Sequence, residues 1–461
     1  MKVEQIYTGC LAQGAYYIVS EGEAAIIDPL REIKPYTERA RKDGVKIKYI
    51  FETHFHADFV SGHIDLTKAT GATIVYGPTA QTGFESHQAK DNEVFQLGKV
   101  KLKVLHTPGH TLESSCYLLL DEEGKENAVF TGDTLFIGDV GRPDLAQKAA
   151  HRTQEELAGL LFDSLRTKVM TLPDEVLIYP AHGAGSACGK HMSKETVSTI
   201  GEQKKTNYAL RSDMTKEEFI KEVTDGLLPA PGYFPLNVKM NQEGPESIDK
   251  VLKRANHPLT PVAFEQTANE TGALVLDTRP ATQFASGFIP NAINIGIDGG
   301  FAPWVGTLIP DILQPILLIT EEGREEEVAT RLARVGYDHT IGYLSGGMKA
   351  WINAGKETDH VDHISAEEFI SQHAKDKTVD VRTAEEFDKG HLDRAENIPL
   401  DGLNDHMNSL SKQEPLYIHC AGGYRSMIAA SMLKARGFDQ VVNIDGGYEA
   451  IEKIKNGENR E

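Results

Sequence analysis

Short apolar or alternating runs that stop at polar, proline or glycine turns dominate the first half of the chain. Ala24-Ala25-Ile26-Ile27 ends in Asp28-Pro29, and Tyr49-Ile50-Phe51 runs into Thr53-His54. Val100–His106 alternates, Ala128-Val129-Phe130 ends in Thr131-Gly132-Asp133, and Val176–Tyr179 ends in Pro180. Such runs, bounded by turn residues, predict strands. Met192–Asn207 and Lys216–Leu227 mix apolar and polar positions at three- and four-residue spacing, which predicts helices. The proline-rich stretch Pro229–Pro235 then punctuates the chain, and a domain boundary is expected between about Asn241 and Leu259.

Beyond it lies a divergent repeat of roughly 100 residues. Val275–Arg279 matches Val379–Arg382, and Gly287–Asn294 matches Gly390–Asn397. Ile316–Thr320 matches Leu416–Cys420, and Leu344–Ala350 matches Ile444–Ala450. Each copy alternates strand and helix, predicting an α/β parallel sheet with helices on both faces. The join falls near Asp359–Ser365, so the expected domains are residues 1–245, 258–357 and 359–461.

The 461 residues are too many for one core. A hydrophobic content of 40% with 25% charged residues is that of a globular protein. The net charge of −20 excludes nucleic acid as a partner and opposes anionic membranes. No apolar run is long enough to span a bilayer, and Met1–Gln5 enters a strand pattern without a signal-peptide core. Cys10, Cys116, Cys188 and Cys420 are too sparse for a disulfide framework. A cytoplasmic location is therefore expected, with any accessible thiol available for chemistry.

The chemistry concentrates at strand ends. Thr53-His54-Phe55-His56-Ala57-Asp58-Phe59 places two imidazoles and a carboxylate in one loop. His106-Thr107-Pro108-Gly109-His110, Thr131-Gly132-Asp133 and Tyr179-Pro180-Ala181-His182 add ligand types at further junctions, as a metal site in a cleft requires. These motifs resemble the metallo-β-lactamase superfamily over roughly Tyr7–Met240. The resemblance is to its persulfide dioxygenase and glyoxalase II branch. Gly183–Lys190 is similar to the segment after the last histidine in persulfide dioxygenases. The resemblance implies an αββα sandwich with its metal site at one sheet edge.

Phe59 separates the two activities. A glyoxalase II-type dinuclear site takes His54, His56 and His110 for one metal. It takes Asp58, a histidine at position 59 and His182 for the other, with Asp133 bridging. Here the second site has lost a nitrogen donor and gained an apolar ring. The expected ligands are His54, His110 and Asp133, two histidines and one carboxylate as in non-haem Fe(II) oxygenases. These are the iron positions of the resembling dioxygenases. One Fe(II) per chain is expected, with His56, Asp58 and His182 behind the ligands, orienting them or bound water. Arg142 and Asp144 are expected at the cleft, where the arginine pairs with a thiol carrier's carboxylate. Lys190, Tyr208 and Tyr233 are further substrate-binding candidates, and Cys188 is read as small-residue packing.

A second motif closes the chain. In Leu416-Tyr417-Ile418-His419-Cys420-Ala421-Gly422-Gly423-Tyr424-Arg425-Ser426 a strand ends at Cys420, a glycine turn follows, and a helix begins near Ser426. Loop N–H groups, the helix dipole and Arg425 all favour a thiolate nucleophile. With Asp380-Val381-Arg382 and Asp445-Gly446-Gly447, it resembles the rhodanese family over about Asp359–Asn456. The loop is one residue shorter than that of related phosphatases, which suits a sulfane sulfur on Cys420. The middle copy reads Ile319-Thr320-Glu321-Glu322-Gly323-Arg324 and has no cysteine, so it is expected to be inactive.

Together the resemblances imply a persulfide dioxygenase fused to an inactive and an active rhodanese unit. A low-molecular-weight thiol persulfide and O2 give sulfite and thiol, and Cys420 with sulfite gives thiosulfate. Linkage raises local sulfite near Cys420. A homodimer is an expectation carried by the family alone. The rivals are a zinc thioester hydrolase fused to a sulfurtransferase, and a non-catalytic metal sensor or scaffold.

Overall fold

A computed structural model describes residues 1–147, 151–227 and 229–457. The chain divides into two compact units, Met1–Lys250 with the short stretch Ala333–Gly336, and Val251–Leu332 with the residues from Tyr337 onward.

The first unit holds two six-stranded sheets. One runs, edge to edge, through Lys2–Thr8, Gln13–Ser20, Glu23–Ile27, Lys46–Phe51, Thr73–Tyr76 and His87–Gln88. Its first three strands pair antiparallel with one another, and every pairing from Glu23–Ile27 onward is parallel. The other runs through Ser198–Thr199, Leu177–Pro180, Glu126–Gly132, Ser115–Leu120, Val100–His106 and Val94–Leu97. Alternation along the strands decides which face meets what. Tyr16, Ile18, Ala25, Ile27 and Phe51 share a core with Leu102, Val104, Tyr117 and Leu119 of the other sheet. The intervening residues Tyr17, Ala24, Ile26 and Ile50 form a separate core with Tyr36 and Leu66, carried by the helices Lys34–Asp43 and His63–Thr70. Helices Gln154–Ser164 and Lys216–Thr224 pack Ala158, Leu161 and Phe219 into a core with Leu118, Val129 and Ile178. The result is the helix–sheet–sheet–helix layering expected from the sequence.

Two helix boundaries differ from expectation. Helix Lys216–Thr224 starts at a capping box of Thr215 with Glu218 and stops at extended Asp225, short of Leu227. In the Met192–Asn207 stretch only Ile200–Thr206 is helical. Thr199 caps it, and Ser198–Thr199 pairs instead with Leu177–Ile178 at the sheet edge. The N–H of Ser193 goes to the carbonyl of Ile137, so this segment satisfies its backbone through the loop and not through a helix.

The second unit contains two parallel five-stranded sheets of identical strand order. The first is Pro258–Leu259, Thr340–Leu344, Ile316–Ile319, Leu274–Asp277 and Ile293–Asn294; the second is Asp362–Ile364, Val441–Ile444, Leu416–His419, Thr378–Asp380 and Ala395–Asn397. The repeat extends to buried polar detail. Arg279 Nε donates to Asp277 and its Nη2 to the Gly287 carbonyl; Arg382 Nε donates to Asp380 and its Nη2 to the Gly390 carbonyl. Asn294 and Asn397 each span the carbonyls of those two residues, Asp277 with Arg279 and Asp380 with Arg382.

Candidate metal centre and cysteine loop

Strand Lys46–Phe51 delivers the His54–Asp58 loop, and a buried carboxylate holds the loop in place. Asp28, at the end of Glu23–Ile27, accepts from the Thr53 N–H at Oδ1 and from Thr53 Oγ1 at Oδ2, both at 2.8 Å. Thr53 Oγ1, its proton so engaged, stands 3.0 Å from His54 Nδ1 and accepts from it. This leaves the lone pair of His54 on Nε2. His110 is fixed the same way: its Nδ1 lies 2.8 Å from the Arg142 carbonyl, which only accepts.

Both Nε2 atoms face Asp133. Its Oδ2 is 3.9 Å from His54 Nε2 and 3.5 Å from His110 Nε2, and this buried oxygen has no hydrogen-bond partner among the described residues. The ligand atoms of the three residues lie within 4.8 Å of one another. Gly132, with φ +52°, permits the approach, because a Cβ there would sit 2.5 Å from Thr53 Oγ1. Burial and the neighbouring His56 hold His54 well below the usual imidazole range, so it is neutral and able to bind a metal. Burial alone would raise Asp133, but His182, His54 and His110 outweigh it and hold the carboxyl far below its usual range.

Asp58 and His182 stand behind this group. His182 Nδ1 is 2.8 Å from Asp133 Oδ1 and its Nε2 is 2.9 Å from Asp58 Oδ2. The two carboxylates raise His182 well above the ordinary value despite its burial. Protonated, it donates to both. Cys188 completes a second close group with Asp58 and His182. Burial pushes its thiol up, with the charges of Asp58 and Asp133 adding to the effect.

His56 turns away from Asp133. Its Nε2 lies 3.0 Å from Asp28 Oδ1 and 3.4 Å from Glu52 Oε2, and its ring stacks on Phe59 at 4.2 Å. Burial opposes charge there, but Asp28 and Glu52 outweigh it and push His56 up to about 10. His56 therefore acts on His54 in two ways, through the charge of its ring 4.2 Å away and through Asp28, which holds Thr53.

The substrate candidates are spread more widely. Arg142 forms a two-pronged pair with Asp144, 2.7 Å on each side, and its N–H reaches the Cys188 carbonyl. The Lys190 ammonium donates to the carbonyls of Glu222 and Asp225. Tyr208 donates to Asp139 at 3.0 Å, and buried Tyr233 packs edge-on to Phe234.

Sequence reasoning missed three buried residues. Asp28 was visible only as the polar end of a strand. Asp139 accepts from the N–H groups of Lys190 and His191 and so pins the Cys188 loop. Asn241 donates to the carbonyls of His56 and Phe59 and accepts from Ser61, clamping the ligand loop from far along the chain. Only Asp28, beside Pro29 at a strand end, carried a local signal.

In the second unit, strand Leu416–His419 ends at buried Cys420, and the Gly423 N–H donates to its Sγ at 3.1 Å. Helix Tyr424–Lys434 begins directly after, two residues earlier than expected. The Arg425 guanidinium is held by both oxygens of Glu386 at 2.7 Å and keeps that carboxyl down to about 2. Arg425 is thus anchored to Glu386 and remains within electrostatic reach of the Cys420 sulfur. In the middle copy Thr320 follows strand Ile316–Ile319 where Cys420 follows its own, and Arg324 is tied to Asp298, Glu321 and Glu327.

Comparison with known proteins gives a family for each part of the chain. The metallo-beta-lactamase superfamily matches residues 8–182, and the rhodanese-like domain matches residues 260–354 and again 365–454. This chain belongs to the metallo-β-lactamase superfamily and carries two rhodanese-like domains. It is 31% identical over 221 residues to the mitochondrial persulfide dioxygenase ETHE1 of Homo sapiens, covering 48% of this chain and 78% of that protein. It is 30% identical over 204 residues to a probable hydroxyacylglutathione hydrolase of Schizosaccharomyces pombe, covering 42% and 75%. The crystal structure of a metallo-β-lactamase from Staphylococcus aureus subsp. aureus COL is 33% identical, with a TM-score of 0.65, covering 75% of this chain and 98% of that one. The chain is thus an enzyme of the metallo-β-lactamase and rhodanese families, with buried residue groups suited to a metal. Among the described residues no helix is long and apolar enough to cross a membrane.

Proposed function

We propose that the chain is a persulfide dioxygenase joined to a sulfurtransferase, with residues 1–245 forming the dioxygenase, 258–357 an inactive rhodanese unit and 359–461 an active one. The metal reading rests on fit. Asp133 Oδ2 is a buried, unpartnered carboxylate oxygen facing two imidazole Nε2 atoms whose Nδ1 protons are engaged elsewhere. Two histidines and one carboxylate suit ferrous iron. When bound, Fe(II) supplies the redox chemistry by which a thiol persulfide, O2 and water become thiol, sulfite and two protons. The chain's own residues do the rest. Burial of His54, His110 and Asp133 shields them from bulk solvent, and His182 holds Asp133 ionised and aimed. Arg142 and Asp144 are the residues we assign to the thiol carrier. Lys190 and Tyr208 we assign to shaping the adjoining loop, because the Lys190 N–H and the Tyr208 phenol both donate to Asp139.

Cys420 carries the transfer. Its thiolate attacks the outer sulfur of a second persulfide and displaces the thiol. Sulfite then attacks the outer sulfur of the Cys420 persulfide; the S–S bond breaks, and thiosulfate and the Cys420 thiolate separate. A soluble cytoplasmic location suits this chemistry.

Phe59 carries the choice of reaction. It is fully buried where a hydrolase needs a second-metal nitrogen, and it stacks on His56. The test is anaerobic loading with Fe(II), followed by oxygen-electrode recording with glutathione persulfide. Oxygen uptake with about one iron per chain is expected. No uptake, with about two zinc ions per chain, would overturn the reading. The zinc thioester hydrolase stays as a second reading for one reason: Asp58, His182 and Cys188 lie close enough to hold a second ion.

A further inference from the structure

The cysteine loop is seated on the copy that lost its cysteine. Tyr424, the residue after Gly423 and before Arg425, donates its phenol O–H to the Gly296 carbonyl at 2.7 Å. The turn Gly296-Ile297-Asp298-Gly299-Gly300 follows the strand Ile293–Asn294 of the middle copy. At Gly299 an added Cβ would lie 2.3 Å from the Tyr424 ring, where no methyl group fits. The φ of Gly299 is not in the left-handed region, so backbone conformation does not demand glycine there. Space for the Tyr424 ring does. A second anchor lies further along the same helix, where Ser431 Oγ accepts from the Asn294 N–H at 2.9 Å.

We propose that the middle rhodanese unit is a seat that positions the Cys420 loop, with Tyr424 as the positioning residue and Gly299 as the residue that makes room for it. The helix Tyr424–Lys434 has its N-terminus at the sulfur, and the Gly423 N–H that donates to Sγ is one peptide bond from Tyr424. A loop whose N–H donor and helix end are both aimed at sulfur depends on where that helix starts. The anchors at Gly296 and Asn294 fix that start from outside the catalytic unit. This accounts for a retained copy without a nucleophile. It rests on the reading that Cys420 carries the sulfane sulfur.

The test uses the full chain with Gly299→Ala, Tyr424→Phe and the double variant. Three quantities are read: the pH profile of Cys420 alkylation by iodoacetamide, followed by mass spectrometry of its peptide; kcat and KM for sulfur transfer from thiosulfate to cyanide; and Tm. Gly299→Ala should raise the alkylation midpoint by about one pH unit and lower kcat about tenfold, with the KM for cyanide within about twofold. Tyr424→Phe, which keeps the ring, should shift both in the same direction by less. The double variant should be no worse than Gly299→Ala, since both changes act on one contact. Wild-type alkylation profiles and kcat in folded variants would overturn the proposal, as would a fall in Tm alone. Should Gly299→Ala fail to fold, Tyr424→Phe decides by the same criteria. A wild-type protein that alkylates normally but transfers no sulfur would defeat the sulfurtransferase reading and leave the seat to be judged on the alkylation profile.

Discussion

His182 Nδ1 lies 2.8 Å from Asp133 Oδ1, so the oxygen left to face His54 and His110 is Oδ2. The other ring nitrogen is held by Asp58, which fixes the plane of the imidazole. A metal ligand oriented by a hydrogen-bonded partner typically loses about 10–100-fold in metal affinity when the partner is removed. His182→Ala should therefore keep the ligand set but weaken Fe(II) binding by about that factor. Chelator competition measures it. Unchanged affinity would show that packing alone orients Asp133.

Cys420→Ser should abolish thiosulfate formation and leave oxygen uptake at the wild-type rate. The smaller hydroxyl still offers the Gly423 N–H an acceptor but does not form a persulfide. Sulfite should then accumulate in place of thiosulfate, which ion chromatography resolves. Undiminished thiosulfate would remove Cys420 from the reaction.

The Glu386–Arg425 pair makes acid a probe of the cysteine loop. The Glu386 carboxyl, ordinarily near 4.5, is held down to about 2 by Arg425. A depressed carboxyl stabilises the fold above its unfolded value and loses that contribution as pH falls toward its folded value. The pair is partly exposed, so its contribution is about 1 kcal/mol or less. Glu386→Gln should lower Tm at neutral pH, and the gap to wild type should shrink as pH drops from about 5 toward 3. A gap that is constant with pH would mean the glutamate acts by packing or capping and not by charge.

How far the sequence reveals this molecule depends on distance along the chain. Strands Val100–His106 and Glu126–Gly132 are legible because alternation and apolar runs are local, and Asp277–Arg279 with Asp380–Arg382 is legible because the pairing residues are two apart. His54, His110 and Asp133 stand out because each follows shortly after a strand. The rest is long-range. Arg425 reads as a free cation beside the sulfur until Glu386 is brought to it from 39 residues upstream. His56 reads as a neighbour of the metal until Asp28 takes it, and Asn241 reaches the ligand loop across 185 residues. The Met192–Asn207 segment carries helical spacing throughout, but sheet pairing at Ser198–Thr199 overrides it.

Phe59 is the position where one substitution tests the choice of chemistry. Its ring is buried on His56, in a loop clamped by Asn241 through the Phe59 carbonyl, so the backbone at 59 is fixed independently of the side chain. Phe59→His removes apolar volume, at a cost of about 1–3 kcal/mol, and adds a nitrogen donor at the position next to Asp58 in the chain. With Asp133 already bonded to His182, the added donor completes the second-metal set of the hydrolase type. Loaded with zinc, the variant should bind about two ions per chain where the parent binds about one. Loaded with iron, it should take up oxygen more slowly, because a second cation draws Asp133 away from the first. Metal analysis on gel-filtered protein and oxygen-electrode rates on the same samples measure both effects. If the variant still binds a single ion, Phe59 is not what keeps the second position empty, and the exclusion must come instead from the charged His182 clamp between Asp58 and Asp133.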